Sequence, residues 1–196
     1  MAEQTAAQPT DLANIVRREP THLGFYDALR LGTTGVWLYQ SCSGKDLVWR
    51  HPWSAEIIAN LVSSENREGT ITNSDLEVAA LVLHKANLIA AAPDARLAAP
   101  CSGSDNTLTV SWSTKEAPTI NPVVADLLRI CALHLRQFFV KPSLFGHPGI
   151  ENFMADDPSC IFGLSDASLL AHMSAVYPQP HSSWEISLPP SYLLLA

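Results

Sequence analysis

The sequence predicts an α/β domain: a mixed five-stranded sheet, three antiparallel strands followed by parallel strands, flanked by helices. Three observations predict it. Residues 22–49 contain three short β-rich runs with tight connections. From there to about residue 156, helical and extended segments alternate, the mark of a sheet covered by helices. Hydrophobic residues make up 47% of the 196 residues and charged ones 16%, which suits one folded domain with a proper core.

The elements follow in order. Residues 1–20 are polar, carry Pro9 and Pro20, and read as a tail or linker. His22-Leu23-Gly24-Phe25-Tyr26 is a first strand ending at Asp27, and Gly35-Val36-Trp37-Leu38-Tyr39 a second. The cluster Ser41 to Asp46 is turn chemistry, and Leu47-Val48-Trp49 makes a third strand. A short amphipathic helix fits Trp53 to Val62. Ser74-Asp75-Leu76-Glu77 has the form of a capping box and opens a longer helix to about Ala92, stopped by Pro93-Asp94. Arg96 to Asp105 is extended, with Pro100 and Gly103 inside it. Asp105 or a neighbour caps a short helix through Trp112. Asn121-Pro122 opens the next helix, whose apolar face is Val124, Leu127, Leu128, Cys131, Leu135 and Phe138. Pro142 ends it, Ser143-Leu144-Phe145 is a last strand, and Ile150 to Asp156 a final helix. From Cys160 on, scattered prolines and aromatics read as an extended arm. The domain limits are therefore 1–20 (tail), 21–158 (α/β domain) and 159–196 (arm).

Composition narrows the function. A formal charge of −7 argues against holding nucleic acid by bulk electrostatics, but not against reaching phosphates through metal ions held by carboxylates. No apolar run has membrane-spanning length: Leu76–Ala92 is interrupted by His84, Lys85 and Asn87. The polar N-terminus lacks the order of a secretory signal, so the expected location is intracellular, in the cytoplasm or nucleus. Cys42, Cys101, Cys131 and Cys160 form no CxxC pair and are expected to be reduced and mostly buried.

Four carboxylates fall where strands end or helices begin: Asp27, Glu77, Asp105 and Asp156. In a mixed sheet of this order the first and fourth strands are neighbours, which would bring Asp27 beside Asp105. A helix across the sheet would deliver Glu77, and the last helix Asp156. Crowded carboxylates repel, and a divalent cation resolves the conflict. Two ions roughly 3.5–4 Å apart can activate water and stabilise the leaving oxygen of a phosphodiester. Each acid also has a plainer reading: Asp27 as a solvated turn residue, Glu77 as the capping partner of Ser74, Asp105 as an N-cap, Asp156 as surface charge. Ala80, Leu81 and Leu88 on Glu77's side of the helix are an odd setting for a solvated acid.

The order and context of these residues resemble the ribonuclease H domain of retrotransposon reverse transcriptases. Gly24-Phe25-Tyr26-Asp27-Ala28 with Gly32-Thr33-Thr34-Gly35-Val36-Trp37 resembles its first strand, acid and hairpin. Ile71-Thr72-Asn73-Ser74-Asp75-Leu76-Glu77 resembles its first helix start, and Ser104-Asp105-Asn106-Thr107 its third acidic motif. His147-Pro148-Gly149-Ile150-Glu151-Asn152-Phe153-Met154-Ala155-Asp156 resembles the closing H-x-G…N-x-x-A-D signature. The resemblance spans about residues 21–158. It implies a ribonuclease H-like fold that hydrolyses the RNA of RNA–DNA hybrids. Two Mg²⁺ (or Mn²⁺) ions would be held by Asp27, Glu77, Asp105 and Asp156, with His147 on a mobile loop assisting proton transfer or product release. The plainer reading of His147 is an exposed turn histidine. Partners would be the hybrid and the polymerase domain of the parent polyprotein, with no membrane. Arg30, Lys45, Arg50, Lys115 and Lys141 are the candidate phosphate contacts. The sequence departs from the pattern at Leu29, at Thr33-Thr34 and at Cys160. Three other readings stand beside this one: a catalytically degenerate ribonuclease H-like module or fragment, a transposase or integrase core, and an acidic interaction domain.

Overall fold

The computed structural model of the chain describes residues 19–39, 45–91, 99–115, 121–138, 143–180 and 183–190. The tail before residue 19, the turn at Ser41–Gly44, Arg96, Lys141 and Pro142 lie outside the described residues, as do the side chains of Lys115 and Phe138.

The chain runs β1 (His22–Leu29), β2 (Gly32–Tyr39), β3 (Asp46–Pro52), α1 (Ala55–Ala59), α2 (Asn73–Ala91) and β4 (Pro100–Ser104). It continues through α3 (Thr107–Lys115), α4 (Pro122–Phe138), β5 (Ser143–Gly146), a 3₁₀ turn (Gly149–Glu151), α5 (Phe153–Cys160), α6 (Asp166–Val176) and β6 (Trp184–Ser187). The sheet order is β5-β4-β1-β2-β3-β6. β1, β2 and β3 form the antiparallel meander; β4 joins β1 in parallel, β5 joins β4, and β6 joins β3. This is the mixed sheet expected from the sequence, antiparallel strands followed by parallel ones and flanked by helices, with six strands where five were expected.

The sixth strand corrects the reading of residues 159–196 as an extended arm. α6 and β6 both fall there, and Leu169, Met173 and Trp184 are buried against Val36 and Val48. The prolines around residue 180 punctuate these elements without preventing them.

On the opposite face, Tyr26, Ala28, Trp37 and Trp49 pack with Leu76, Ala80, Leu81 and Leu88 of α2. The alternation is a direct product of the pleat: Phe25 and Val36 join one layer, Tyr26 and Trp37 the other. α2 is covered nearly all round, its other side meeting α4. Hence His84, Lys85 and Asn87, which interrupt its apolar run, are themselves buried. His84 stacks on Trp37 at 3.9 Å and accepts a 3.1 Å hydrogen bond from Trp49 Nε1. Among the described residues no helix is long and apolar enough to cross a membrane. Cys101, Cys131 and Cys160 are free thiols; Cys160 is exposed and Cys101 half-buried, so burial holds for Cys131 alone of these three.

The start of α2 differs from expectation. The reciprocal cap is Thr72 with Asp75: the Thr72 N–H donates to Asp75 Oδ2 at 2.7 Å, and the Asp75 N–H donates to Thr72 Oγ1 at 3.4 Å. Ser74 and Glu77 are not the box, because the helix begins two residues earlier than that pair requires. The cap expected of Asn121 is present: its Oδ1 accepts from the Val123 and Val124 N–H groups at 3.0 and 3.3 Å.

Candidate metal centre

β1 and β4 pair in parallel from His22↔Pro100 to Phe25↔Gly103, where the ladder stops. Extending that register by two residues sets Asp27 level with Asp105. Where the sheet opens, Glu77 arrives from the first turns of α2. One carboxylate oxygen from each of Asp27, Glu77 and Asp105 lies within 4.8 Å of the other two.

Both competing roles for these acids are taken by other residues. Asp75 serves the α2 cap, which leaves Glu77 buried at 2% exposure with Oε2 lacking a hydrogen-bond partner. Asn106 caps α3, its Oδ1 accepting from the Thr109 N–H at 3.0 Å. Asp105 is therefore not the cap of that helix.

Asp156 comes from α5 and stands outside the tight group of three, yet within reach of its charge. Burial, then the charges of Asp27 and Asp105, push its carboxyl up to about 6, against an opposing hydrogen bond from Asn152. Burial is also the main cause for Glu77, which is pushed up to about 9, with Asp27 and Asp105 adding to it and the Ala28 N–H opposing. Asp27 is raised by burial above all; a hydrogen bond from Ser159 opposes and the charge of Asp105 adds. The cluster thus resists full ionisation on its own. The donors are hard oxygens, and buried Glu77 Oε2 and Asp156 Oδ1 have no partner. That set fits a divalent cation such as Mg²⁺ or Mn²⁺, which would supply both the missing partner and the counter-charge.

No protein-family model matches the sequence, and no curated protein does. Among solved structures, the chain is similar to ribonuclease H1 of the halophilic archaeon Halobacterium salinarum NRC-1, at 17% identity over 69% of this chain and 92% of that one, TM-score 0.45. It is similar to the N-terminal RNase H domain of rv2228c from Mycobacterium tuberculosis, at 15% identity over 71% and 90%, TM-score 0.45. A third is LC11-RNase H1, solved in complex with an RNA/DNA hybrid, at 14% identity over 69% and 91%, TM-score 0.45.

His147 is half-buried, its ring 5.2 Å from that of Phe25 and 6.0 Å from that of Phe145. Its N–H donates to the Ser104 carbonyl at 3.1 Å, and its Nε2 is buried without a partner. It is neither an exposed turn histidine nor a ring held clear of the sheet. The following glycine has a steric reason: a Cβ on Gly149 would lie 2.8 Å from Asp105 Oδ2. The H-P-G turn therefore lies against the third acid.

Several residues that build the site went unassigned in the sequence. Thr33 Oγ1 donates to the Asp27 carbonyl at 2.7 Å, and Thr34 Oγ1 to the Ala155 carbonyl at 2.6 Å. Thr33 thus fastens the backbone of Asp27, and Thr34 that of the residue before Asp156. Asn152 Nδ2 donates to the Tyr26 carbonyl at 3.1 Å, tying α5 to β1. Ser159 lies against Asp27. Of the candidate phosphate contacts, two are engaged elsewhere. Arg50 bonds Asp166 at 2.7 Å and the Phe162 carbonyl at 3.1 Å, and Lys45 pairs with Glu185.

Proposed function

We propose that this chain is a divalent-metal-dependent endoribonuclease that cuts the RNA strand of RNA–DNA hybrids, and that it derives from a retrotransposon reverse transcriptase polyprotein. The observation that carries this reading is the meeting of Asp27, Glu77 and Asp105 within 4.8 Å, from three separated parts of the chain. Asp156, outside that group of three but within reach of the charges of Asp27 and Asp105, would be the fourth ligand.

Asp27, Glu77, Asp105 and Asp156 would hold two Mg²⁺ or Mn²⁺ ions, which when bound supply an activated water and charge stabilisation at the scissile phosphate. Water adds across the P–O3′ bond, leaving a 3′-hydroxyl and a 5′-phosphate. His147, whose Nε2 has no partner, would take or return a proton during the reaction. Strand choice would rest on 2′-hydroxyl contacts across a wide, shallow minor groove, with no base reading. With Lys45 and Arg50 engaged and a net charge of −7, the domain's own grip on phosphate is weak, and the polymerase domain of the parent polyprotein would supply the rest. Such an element acts inside the cell, in the cytoplasm or nucleus.

The test is cleavage of a labelled hybrid in Mg²⁺ or Mn²⁺ beside the same sequence as double-stranded DNA. Metal-dependent cutting of the RNA strand alone is expected, falling at least about 100-fold in Asp105→Asn, since catalysis here depends on ligand placement. Cutting of duplex DNA would favour the transposase or integrase reading. No cutting at high enzyme would favour the degenerate module.

A further inference from the structure

The fourth acid sits on an element with little cohesion of its own. α5 has eight residues, and Pro158 within it removes the N–H that would bond the Met154 carbonyl. A helix this short holds its place only through tertiary contacts. On the sheet side those include Thr34 to the Ala155 carbonyl, Asn152 to the Tyr26 carbonyl and Ser159 against Asp27. On the far side they come from the segment after residue 160.

There, Asp157 is gripped twice. His172 Nε2 lies 2.6 Å from Asp157 Oδ2, and the Tyr177 hydroxyl donates to the same oxygen at 3.1 Å. The Tyr177 hydroxyl is also 3.2 Å from the Phe153 carbonyl, and the Tyr177 and Phe153 rings stack with centroids 5.8 Å apart. The grip is anchored in turn: Trp184 of β6 donates from Nε1 to the Tyr177 carbonyl at 2.9 Å, and Arg50 of β3 holds Asp166 at the head of α6.

We infer that His172 and Tyr177 are positioning residues, which by gripping Asp157 fix the rotation of α5 and hold the adjacent Asp156 carboxylate against the acid cluster. The inference rests on the metal-centre reading above. Consecutive helical residues point about 100° apart, so one carboxylate is the handle and its neighbour the ligand. A rotation of α5 by about 20° would carry the Asp156 oxygens roughly 2 Å, given the helix radius plus the side chain. Displacement of about 1 Å is enough to lose about 100-fold in rate. α6 and β6 thus serve the centre: without them α5 would be held from one side only.

The test uses the full chain and the double variant His172→Ala/Tyr177→Phe, which keeps the Phe153 stack, together with His172→Gln, which keeps a donor. Two measurements are made. Amide hydrogen exchange of the metal-free proteins is expected to quicken at least tenfold over residues 156–160 in the double variant and to stay unchanged in α2. Mn²⁺ titration followed by electron paramagnetic resonance is expected to show at least a tenfold loss of affinity, largely restored in His172→Gln. Unchanged exchange in α5, or wild-type Mn²⁺ affinity in the double variant, overturns the positioning role. If the wild-type protein binds no Mn²⁺, the metal-centre reading fails instead, and the exchange comparison still decides whether the grip orders α5.

Discussion

Glu77 shows how burial converts an ordinary acid into a candidate ligand. At 2% exposure, with one oxygen unpartnered and two other carboxylates beside it, its charged form is disfavoured without a cation. Asp105 is defined by what approaches it, because the backbone of Gly149 lies where a side chain would collide with Oδ2. Gly149→Ala therefore separates site from fold. The atom it would meet is the end of a side chain, which can swing away, so stability should change by less than about 1 kcal/mol. The displaced carboxylate should cost at least about tenfold in divalent-ion affinity, measured by calorimetry; unchanged affinity would mean Asp105 is no ligand.

At the scale of elements, the meander, α2, β4, α4 and β5 were legible because each carries a local signal: β-rich runs, helical spacing, or a cap with proline behind it. What was missed is non-local. Thr33, Thr34 and Asn152 act on backbone groups that are distant in sequence or across a strand pair, and no spacing rule reports that. β6 has four residues and pairs in parallel with β3 after a helix, so it leaves no hairpin signature, and its prolines argued for an arm. The α2 start was legible in kind but misplaced, since Thr72-x-x-Asp75 and Ser74-x-x-Glu77 overlap in sequence. The two are separable by mutation. Thr72→Ala should lower stability by about 1–2 kcal/mol in urea unfolding, and Ser74→Ala by less than about 0.5 kcal/mol. Equal effects would contradict the cap seen here.

For the molecule as a whole, Asp27, Glu77 and Asp105 meet because the mixed topology sets β1 beside β4 with α2 across them, although Asp27 lies inside β1, which runs on to Leu29 beyond the strand end expected at Asp27. Their convergence has a thermodynamic signature. The Glu77 carboxyl titrates near 4.5 when exposed and about 9 when folded, and Asp156 moves from 3.8 to about 6. Between those limits the folded chain keeps protons the unfolded chain has released, so raising the pH favours unfolding. The cost is absent below about pH 3.8, where Asp156 begins to contribute, and complete above about 9, where Glu77 is ionised in both states. A cation bound only by the folded, ionised cluster opposes it, and does so more strongly as pH rises.

The thermal midpoint from pH 5 to pH 8.5, with and without Mg²⁺, tests this most directly, beside Glu77→Gln. The metal-free protein should lose several degrees across that range, with Mg²⁺ restoring them at the alkaline end, while Glu77→Gln should be flatter and insensitive to Mg²⁺. Curves for the two proteins that coincide, or a midpoint at pH 8.5 that Mg²⁺ does not move, would contradict a metal centre at Asp27, Glu77 and Asp105.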